Sequence, residues 1–200
     1  MPAVKLTKNE LKSQKDALRR FERYLPTLLL KKQQLQMVMR QVESKVRERT
    51  AERQLLIDEI MSWVGVFGED VTLASYLSVS ELVVHTGNIA GIDIPVFDEI
   101  HFKQISYDLY ATPLWVDRAL ERMKELISHD AEIRILRRQH ELLDEELRIT
   151  TQRVNLFEKV KIPETRENIR RIRIYLGDEQ TAAVVRGKMA KNNITRERAI

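Results

Sequence analysis

A seven-residue repeat of apolar side chains runs through the first third of this 200-residue chain. Alternate steps of three and four residues from Leu11 to Phe67 visit seventeen positions, of which thirteen are apolar. A repeat of this period keeps one stripe of a helix facing a partner helix along its whole length, which is typical of a coiled coil. At a rise of about 1.5 Å per residue, such a helix would be roughly 85 Å long.

A proline and three charged side chains interrupt the regularity of this first segment. Pro26 removes one backbone hydrogen bond and costs about 3 kcal/mol in a helix interior, so we expect a kink near Tyr24. Lys32, Arg49 and Arg53 occupy positions of the apolar stripe. Charged side chains there predict either a local opening of the helix pair or contacts with acidic residues of another chain.

A second long helix is predicted in the last part of the chain. Thr112 and Pro113 are typical of a helix start, because threonine is a common N-cap and proline is favoured at the first helical position. Within Ala119–Phe157 the same stepping visits twelve positions, of which eight are apolar. The period breaks at Ile162-Pro163. It resumes with Ile169, Ile172 and Leu176.

The segment between the two helices has a different character. Residues 65–112 hold four of the six glycines, and β-branched residues replace the charged pattern. Leu82–His85 and Ile92–Ile94 flank the glycine-bearing stretch Thr86–Gly91, which indicates a short pair of strands around a turn. The stretch from Val96 to Ile105 is a candidate for a further strand.

Two helices that each expose an apolar stripe bury it best against each other. The sequence therefore predicts a mainly α protein: a long antiparallel two-helix coiled coil with a small insert, containing a β-hairpin, between the helices. We expect an N-terminal coiled-coil helix over 1–64, an α/β insert over 65–112, a C-terminal coiled-coil helix over 113–190 with a break near Pro163, and a flexible basic tail over 191–200. The seam positions that we predict are Leu18, Phe21, Leu35, Val42, Val46, Leu56, Ile60, Leu126, Ile133, Leu143, Leu147 and Val154.

Composition and motifs argue against chemistry carried by this chain. The absence of cysteine excludes a disulfide framework and thiol chemistry. No apolar run approaches the length of about 18 residues that is needed to span a bilayer. The first ten residues also lack the apolar core of a signal peptide. We therefore expect a soluble, intracellular protein. Gly87–Gly91 lacks the lysine and hydroxyl residue of a phosphate-binding loop, and no two of the four histidines lie three or four residues apart. We therefore expect no catalytic residue, cofactor or metal.

Charge is distributed unevenly along the sequence. Residues 1–34 carry a net charge of +6 and residues 163–200 a net charge of +4, whereas the whole chain carries +4. Antiparallel packing would bring both basic segments to one end. Such an end favours acidic protein surfaces or phosphate, unless the basic residues only solvate the helix ends.

Three stretches of the sequence are similar to one known family. They are Thr7–Leu11 followed by Leu28, Lys31, Lys32 and Leu35, then Asn88–Pro95, and finally Arg153–Glu158 followed by Ile162-Pro163. In this order and spacing, the chain resembles the D subunit of the V-type/A-type rotary ATPases, the central rotor shaft, in its shorter prokaryotic form.

The resemblance implies a non-catalytic subunit of the central stalk that transmits torque between ATP hydrolysis or synthesis and ion (proton) transport through a membrane ring. The partners that it implies are the catalytic and nucleotide-binding head subunits (A and B), the small F subunit of the rotor, and the C/d subunit above the ring. It implies no cofactor, no nucleic acid and no direct membrane insertion. The location would be the cytoplasmic face of the membrane, as a peripheral part of the complex.

Two sets of contact residues follow as hypotheses from the charge pattern and the resemblance. The basic residues expected to contact the head are Lys8, Lys12, Lys15, Arg19, Arg166, Arg170, Arg171 and Arg173. The residues expected to contact the small rotor partner are Asn88, Ile89, Gly91, Ile92, Ile94 and Pro95.

Other protein classes share parts of this pattern. A prefoldin-like chaperone subunit also joins two coiled-coil helices through β-hairpins, but its tips are typically apolar rather than basic. A nucleic-acid-binding coiled coil would suit the basic end, but few aromatic side chains for base stacking lie there beyond Phe21, Tyr24 and Tyr175.

Overall fold

The computed structural model describes residues 4–64, 76–106 and 112–197. Helix α1 spans Lys8–Val64, strand β1 spans Leu77–Ile89 and strand β2 spans Ile92–Gln104. Helix α2 follows over Trp115–Asn155, then a π-helical turn over Leu156–Lys161, then helix α3 over Ile162–Glu197. A long N-terminal helix, a long C-terminal helix and an antiparallel hairpin between them confirm the predicted fold class.

The chain divides into two compact units. The first unit comprises Met1–Lys31 and Thr150–Ile200, and the second comprises Lys32–Ile149. The first part of α1 therefore packs with the end of α2 and with α3, whereas the rest of α1 packs with the rest of α2 and the hairpin.

The core of the second unit lies where the hairpin meets both helices. Leu35 and Val42 of α1 and Leu136 and Leu143 of α2 form one buried cluster. Around it, the partly buried Val38, Met39, Val46, Ala90, Ile92 and Leu147 pack against the cluster. Because Ala90 and Ile92 belong to the hairpin, the turn end of the hairpin folds back onto the helix pair.

Ion pairs join α1 to α2 across the second unit. Arg49 Nε lies 3.0 Å from the Glu132 carboxylate, and Arg53 pairs with Asp130. Further pairs across the two helices include His140 with Glu43 at 3.2 Å and Arg122 with Glu59 at 3.0 Å. Partner numbers fall along α2 as numbers rise along α1, so the helices run antiparallel. Arg49 and Arg53, which we expected to open the seam or to reach another chain, contact carboxylates of α2 in the same chain.

In the first unit, the end of α2 and α3 pack against the start of α1. The rings of Phe21 and Phe157 meet at 5.1 Å between centroids, and Arg166 contacts Glu22 at 2.8 Å. The buried side chains of this unit are Thr150, Val154, Ile162, Thr165, Ile169 and Ile172.

The π-helical turn explains the break in the apolar period before Pro163. Phe157 and Ile162 are five residues apart, whereas three or four would continue the repeat. The amide of Ile162 donates to the carbonyl of Phe157, five residues back, so the turn holds one extra residue. Pro163 has no amide hydrogen to donate, which lowers the cost of widening the helix there. The predicted break near Pro163 is thus a widened turn within continuous helix.

Helix α1 begins at a cap and continues through its proline. The hydroxyl of Thr7 accepts a hydrogen bond from the Glu10 amide at 3.2 Å, which satisfies one free donor of the first turn. Pro26 lies inside the helix, and the hydroxyl of Thr27 donates to the carbonyl of Tyr24 at 2.8 Å.

The hairpin is longer and its turn tighter than predicted. The expected short strands and the further strand at Val96–Ile105 merge into two strands of thirteen residues each. Only Ala90 and Gly91 separate the strands, with φ angles of 53° and 81°. Positive φ at both central residues is typical of the two-residue turn whose twist matches that of the strands.

The helix ends also differ from the predicted boundaries. Helix α2 begins at Trp115 rather than at residue 113, and the Val116 amide donates to the carbonyl of Pro113 at 3.1 Å. Helix α3 continues to Glu197, beyond the predicted end at residue 190. Phe67, the last predicted position of the first repeat, lies outside the described residues, as do 65–75 and 107–111.

Candidate interaction surfaces

Five basic residues of the first unit line one cleft. Five of the eight predicted head-contacting residues line it, together with Leu18, Glu22, Ile169 and Ile174, in a volume of about 600 Å³. Those five are Lys15, Arg19, Arg166, Arg170 and Arg173. Arg171 lines a neighbouring groove with Glu10 and Asp178, and Lys8 and Lys12 are exposed on the first turns of α1. We call the five residues the basic cleft.

Several of these arginines already hold carboxylates. Arg170 and Arg171 both donate to Glu167, at 2.8 Å and 3.0 Å, and Arg166 contacts Glu22. The hydrogen bonds from Arg170 and then Arg171 lower the pKa of Glu167 to about 2. Arg173 and Lys15 have no anionic partner among the described residues, which leaves them available for an external carboxylate.

The residues predicted to contact a small rotor partner lie at or beside the turn of the hairpin, and they differ in burial. Ile94 is only 2% exposed, and Ile92 packs against the helix cluster, so both face the unit's own core. The side-chain amide of Asn88 donates to Asp93 at 2.7 Å, and its carbonyl oxygen accepts from the Gly91 amide at 3.1 Å. Ile89 and Pro95 are half-buried.

A surface that the sequence patterns did not single out lies on the opposite face of the hairpin. Val79, Leu82 and Val84 of β1 are 40–48% exposed, and each stands opposite an apolar residue of β2. The partners are Phe102, Ile100 and Phe97. These six residues form what we call the outer apolar face.

Two β-bulges keep the outer apolar face continuous. The spacing from Val79 to Leu82 and from Phe97 to Ile100 is three residues, which strict alternation would send to opposite faces. The register shifts at Ser80 in β1 and at Asp98 in β2, so each strand takes up one extra residue. The repeated spacing of three and then two apolar residues was the sequence signal for this surface.

The described residues show no cluster of side chains suited to a metal ion. No group of three or more histidine or carboxylate side chains is placed to hold a metal ion within those residues. His85 contacts Asp98 at 2.8 Å, and both side chains are exposed on the hairpin rather than in a pocket. Of the helices within 4–64 and 112–197, none combines the length and apolarity needed to cross a membrane.

Comparison with known proteins decides which family this architecture represents. The family model of the ATP synthase D subunit matches residues 10–192. The chain belongs to the ATP synthase D-subunit family. The resemblance seen in the sequence motifs is thereby confirmed.

Relatives in this family align over nearly the whole chain. A V-type ATP synthase D subunit from Borreliella burgdorferi is 50% identical over 197 residues, covering 98% of both chains. The V-type ATP synthase D subunit of Chlamydia felis is 35% identical over 198 residues, covering 96% of this chain and 93% of the relative. That of Chlamydia pneumoniae is 34% identical over 200 residues, covering 98% and 95%. The hairpin, helix α2 and the π-helical turn of this D-subunit family member lie within residues 10–192, which the family model matches.

Proposed function

We propose that this chain is the non-catalytic central rotor shaft of a V-type ATP synthase, carrying torque between the ATP-hydrolysing head and an ion-translocating membrane ring. The observation that carries the proposal is the match of the D-subunit family model to residues 10–192. The complex would hold the chain at the cytoplasmic face of the membrane, with the A, B, F and C/d subunits as its partners.

The contacts within each unit suit a part that must resist twisting. Torque on one helix reaches its partner only if side chains prevent the two helices from sliding past each other. In the second unit, Arg49 and Arg53 of α1 hold carboxylates of α2 close in sequence to the buried Leu56 and Ile133. Directional ion pairs combined with a packed seam oppose sliding more effectively than apolar contacts alone.

We infer that the basic cleft contacts acidic elements of the head. Lys15 and Arg173 line the cleft and have no anionic partner among the described residues, so an external carboxylate can reach them without displacing an internal one. The test is the double variant Lys15→Glu with Arg173→Glu in the reconstituted synthase. We expect the number of ions pumped per ATP hydrolysed to fall several-fold.

The matched control for this test reverses two basic charges of the second unit, Lys45→Glu and Lys103→Glu. Both residues are exposed. The control variant and the Lys15/Arg173 variant change the net charge of the chain by the same amount. The control should pump ions at the normal ratio, and both variants should melt at the temperature of the unmodified chain. Normal coupling in the Lys15/Arg173 variant would contradict the role of the cleft.

We further infer that the small F subunit of the rotor docks on the hairpin. Since Ile92 and Ile94 face the core, the outer apolar face is the part of the hairpin able to bury new surface against this partner. Leu82→Asp places a charge in the middle of that face, whereas Ser78→Asp places one on the other face of the same strand. Binding of the F subunit should weaken at least tenfold for the first variant and stay unchanged for the second. Equal affinities would exclude the outer apolar face.

A further inference from the structure

Two adjoining clefts on the second unit are together lined by five arginines and three carboxylates. The larger, of about 600 Å³, is lined by residues that include Arg53, Arg134, Arg137 and Arg138. The smaller, of about 370 Å³, is lined by residues that include Arg47 and shares Arg137 and Glu141 with the larger. Together they form a continuous depression along α1 and α2, which we call the arginine groove.

Every carboxylate that lines the arginine groove is already held. Asp130 pairs with Arg53, Glu141 with Arg138 at 2.8 Å, and Glu43 with His140 at 3.2 Å. The three remaining cations have no anionic partner among the described residues. They are Arg47, Arg134 and Arg137, and all three are exposed.

Several other arginines of the same unit are paired across the two helices. Arg49, Arg118 and Arg122 each contact a carboxylate of the facing helix. Arg40 and Arg148 are likewise exposed without an anionic partner among the described residues, but the arginine groove gathers three such arginines in one depression. Arginine presents a planar fork of donors that matches a carboxylate, so a row of open guanidinium groups favours anionic partners with directional acceptors.

The floor of the arginine groove is apolar. Ile133 is 5% exposed and lies in the larger cleft, and the half-buried Val46 lies in the smaller. An occupant that matches both features needs apolar side chains facing the floor and carboxylates facing the arginines. An amphipathic polypeptide has both, whereas a phosphate backbone offers charge without an apolar face.

We propose that the arginine groove is a docking site for an acidic, amphipathic polypeptide segment of another protein in the assembled synthase. Charge complementarity identifies the occupant, with Arg47, Arg134 and Arg137 as its anchors. The inference rests on the chain being part of a complex of several proteins. It does not depend on torque transmission.

The absence of cysteine from the sequence allows a direct test in the intact complex. Thr50 is exposed and lines the groove, so Thr50→Cys labelled with a benzophenone maleimide places a photo-crosslinker beside the arginines. After illumination of the assembled synthase, mass spectrometry identifies the crosslinked peptide. We expect a peptide from a different protein of the complex that carries an excess of aspartate and glutamate.

Two further variants in the Thr50→Cys background establish whether the arginines hold this peptide. The triple variant Arg47→Ala, Arg134→Ala and Arg137→Ala should lower the crosslink yield about eightfold, the product of three contacts worth about twofold each. The control triple Lys45→Ala, Lys103→Ala and Arg153→Ala removes the same charge from exposed sites outside the groove and should keep the yield. Raising the salt concentration should weaken the crosslink in the unmodified groove.

Several outcomes would overturn the proposal. These are no crosslink in the assembled complex, a crosslink to lipid or nucleic acid, a peptide without excess carboxylates, or equal yields from the two triple variants. A complex that couples ATP hydrolysis to pumping but shows any of these results would refute the docking site alone. A complex that crosslinks as expected but fails to couple would refute the torque role alone.

Discussion

Replacing Leu143 with alanine tests whether the seam and the hairpin form one core in the second unit. Leu143 is 0% exposed and belongs to the cluster with Leu35, Val42 and Leu136. The substitution removes three buried carbon atoms, which costs about 2.4 kcal/mol at about 0.8 kcal/mol each. Leu35 and Val42 are held on a different helix and cannot fully collapse into the space. A residual cavity should bring the total to about 3–4 kcal/mol.

The two tryptophans provide a local measurement of this effect. Trp63 and Trp115 both lie in the second unit, so tryptophan fluorescence during urea denaturation reports on that unit. The control is Leu114→Ala, because Leu114 is 95% exposed and should change the free energy of unfolding by less than about 0.5 kcal/mol. A Leu143→Ala cost below about 1.5 kcal/mol would show that the cluster does not pack as described. In a double-mutant cycle, Leu35→Ala and Leu143→Ala should be non-additive by at least about 0.5 kcal/mol.

Three further predictions concern the turn, an exposed ion pair and the π-helical turn. Gly91→Ala should destabilise the second unit by about 1–2 kcal/mol. The cost comes from the positive φ alone, since a Cβ at residue 91 would meet nothing within 4 Å. Gly177→Ala should instead stabilise helix α3, where a Cβ also meets nothing within 4 Å. Glu167 has a pKa of about 2, so its carboxylate stabilises the fold fully above its ordinary pKa near 4.5 and loses this contribution as the pH falls towards 2. The variant Glu167→Gln should therefore show a smaller decline in melting temperature over that pH range. The difference should be clearest at low salt. Pro163→Ala should leave the π-helical turn in place, because the five-residue spacing from Phe157 to Ile162 requires it; a regular α-helix over 156–161 in a crystal structure of that variant would assign the turn to the proline instead.

The helix pair was the part of the fold most accessible from the sequence. Apolar periodicity depends only on residues a few positions apart. It predicted Leu35, Val42 and Leu143 as seam positions, and all three are buried. The family was accessible for another reason, because the Asn88–Pro95 and Arg153–Glu158 motifs are specific in order and spacing.

Features that depend on the position of a distant partner were not accessible in the same way. Arg49 and Arg53 appeared as defects of the seam because their carboxylates, Glu132 and Asp130, lie about eighty residues away in the sequence. The hairpin was predicted too short because the extra residues Ser80 and Asp98 interrupt the alternation that marks a strand. Which basic residues remain open to a partner also depends on three-dimensional pairing, as Arg170 and Arg173 show.

The π-helical turn sets a condition for building chimeras between relatives of this family. A chimera joined within Leu156–Lys161 can gain or lose one residue of the turn. A change of one residue rotates all downstream side chains by about 100° around the helix axis. Ile169 and Ile172 would then face water instead of α1, although every residue of the transplanted segment is native. In such chimeras the junction should therefore lie on the N-terminal side of Leu156. The π-helical turn and the segment that follows it then come from the same relative.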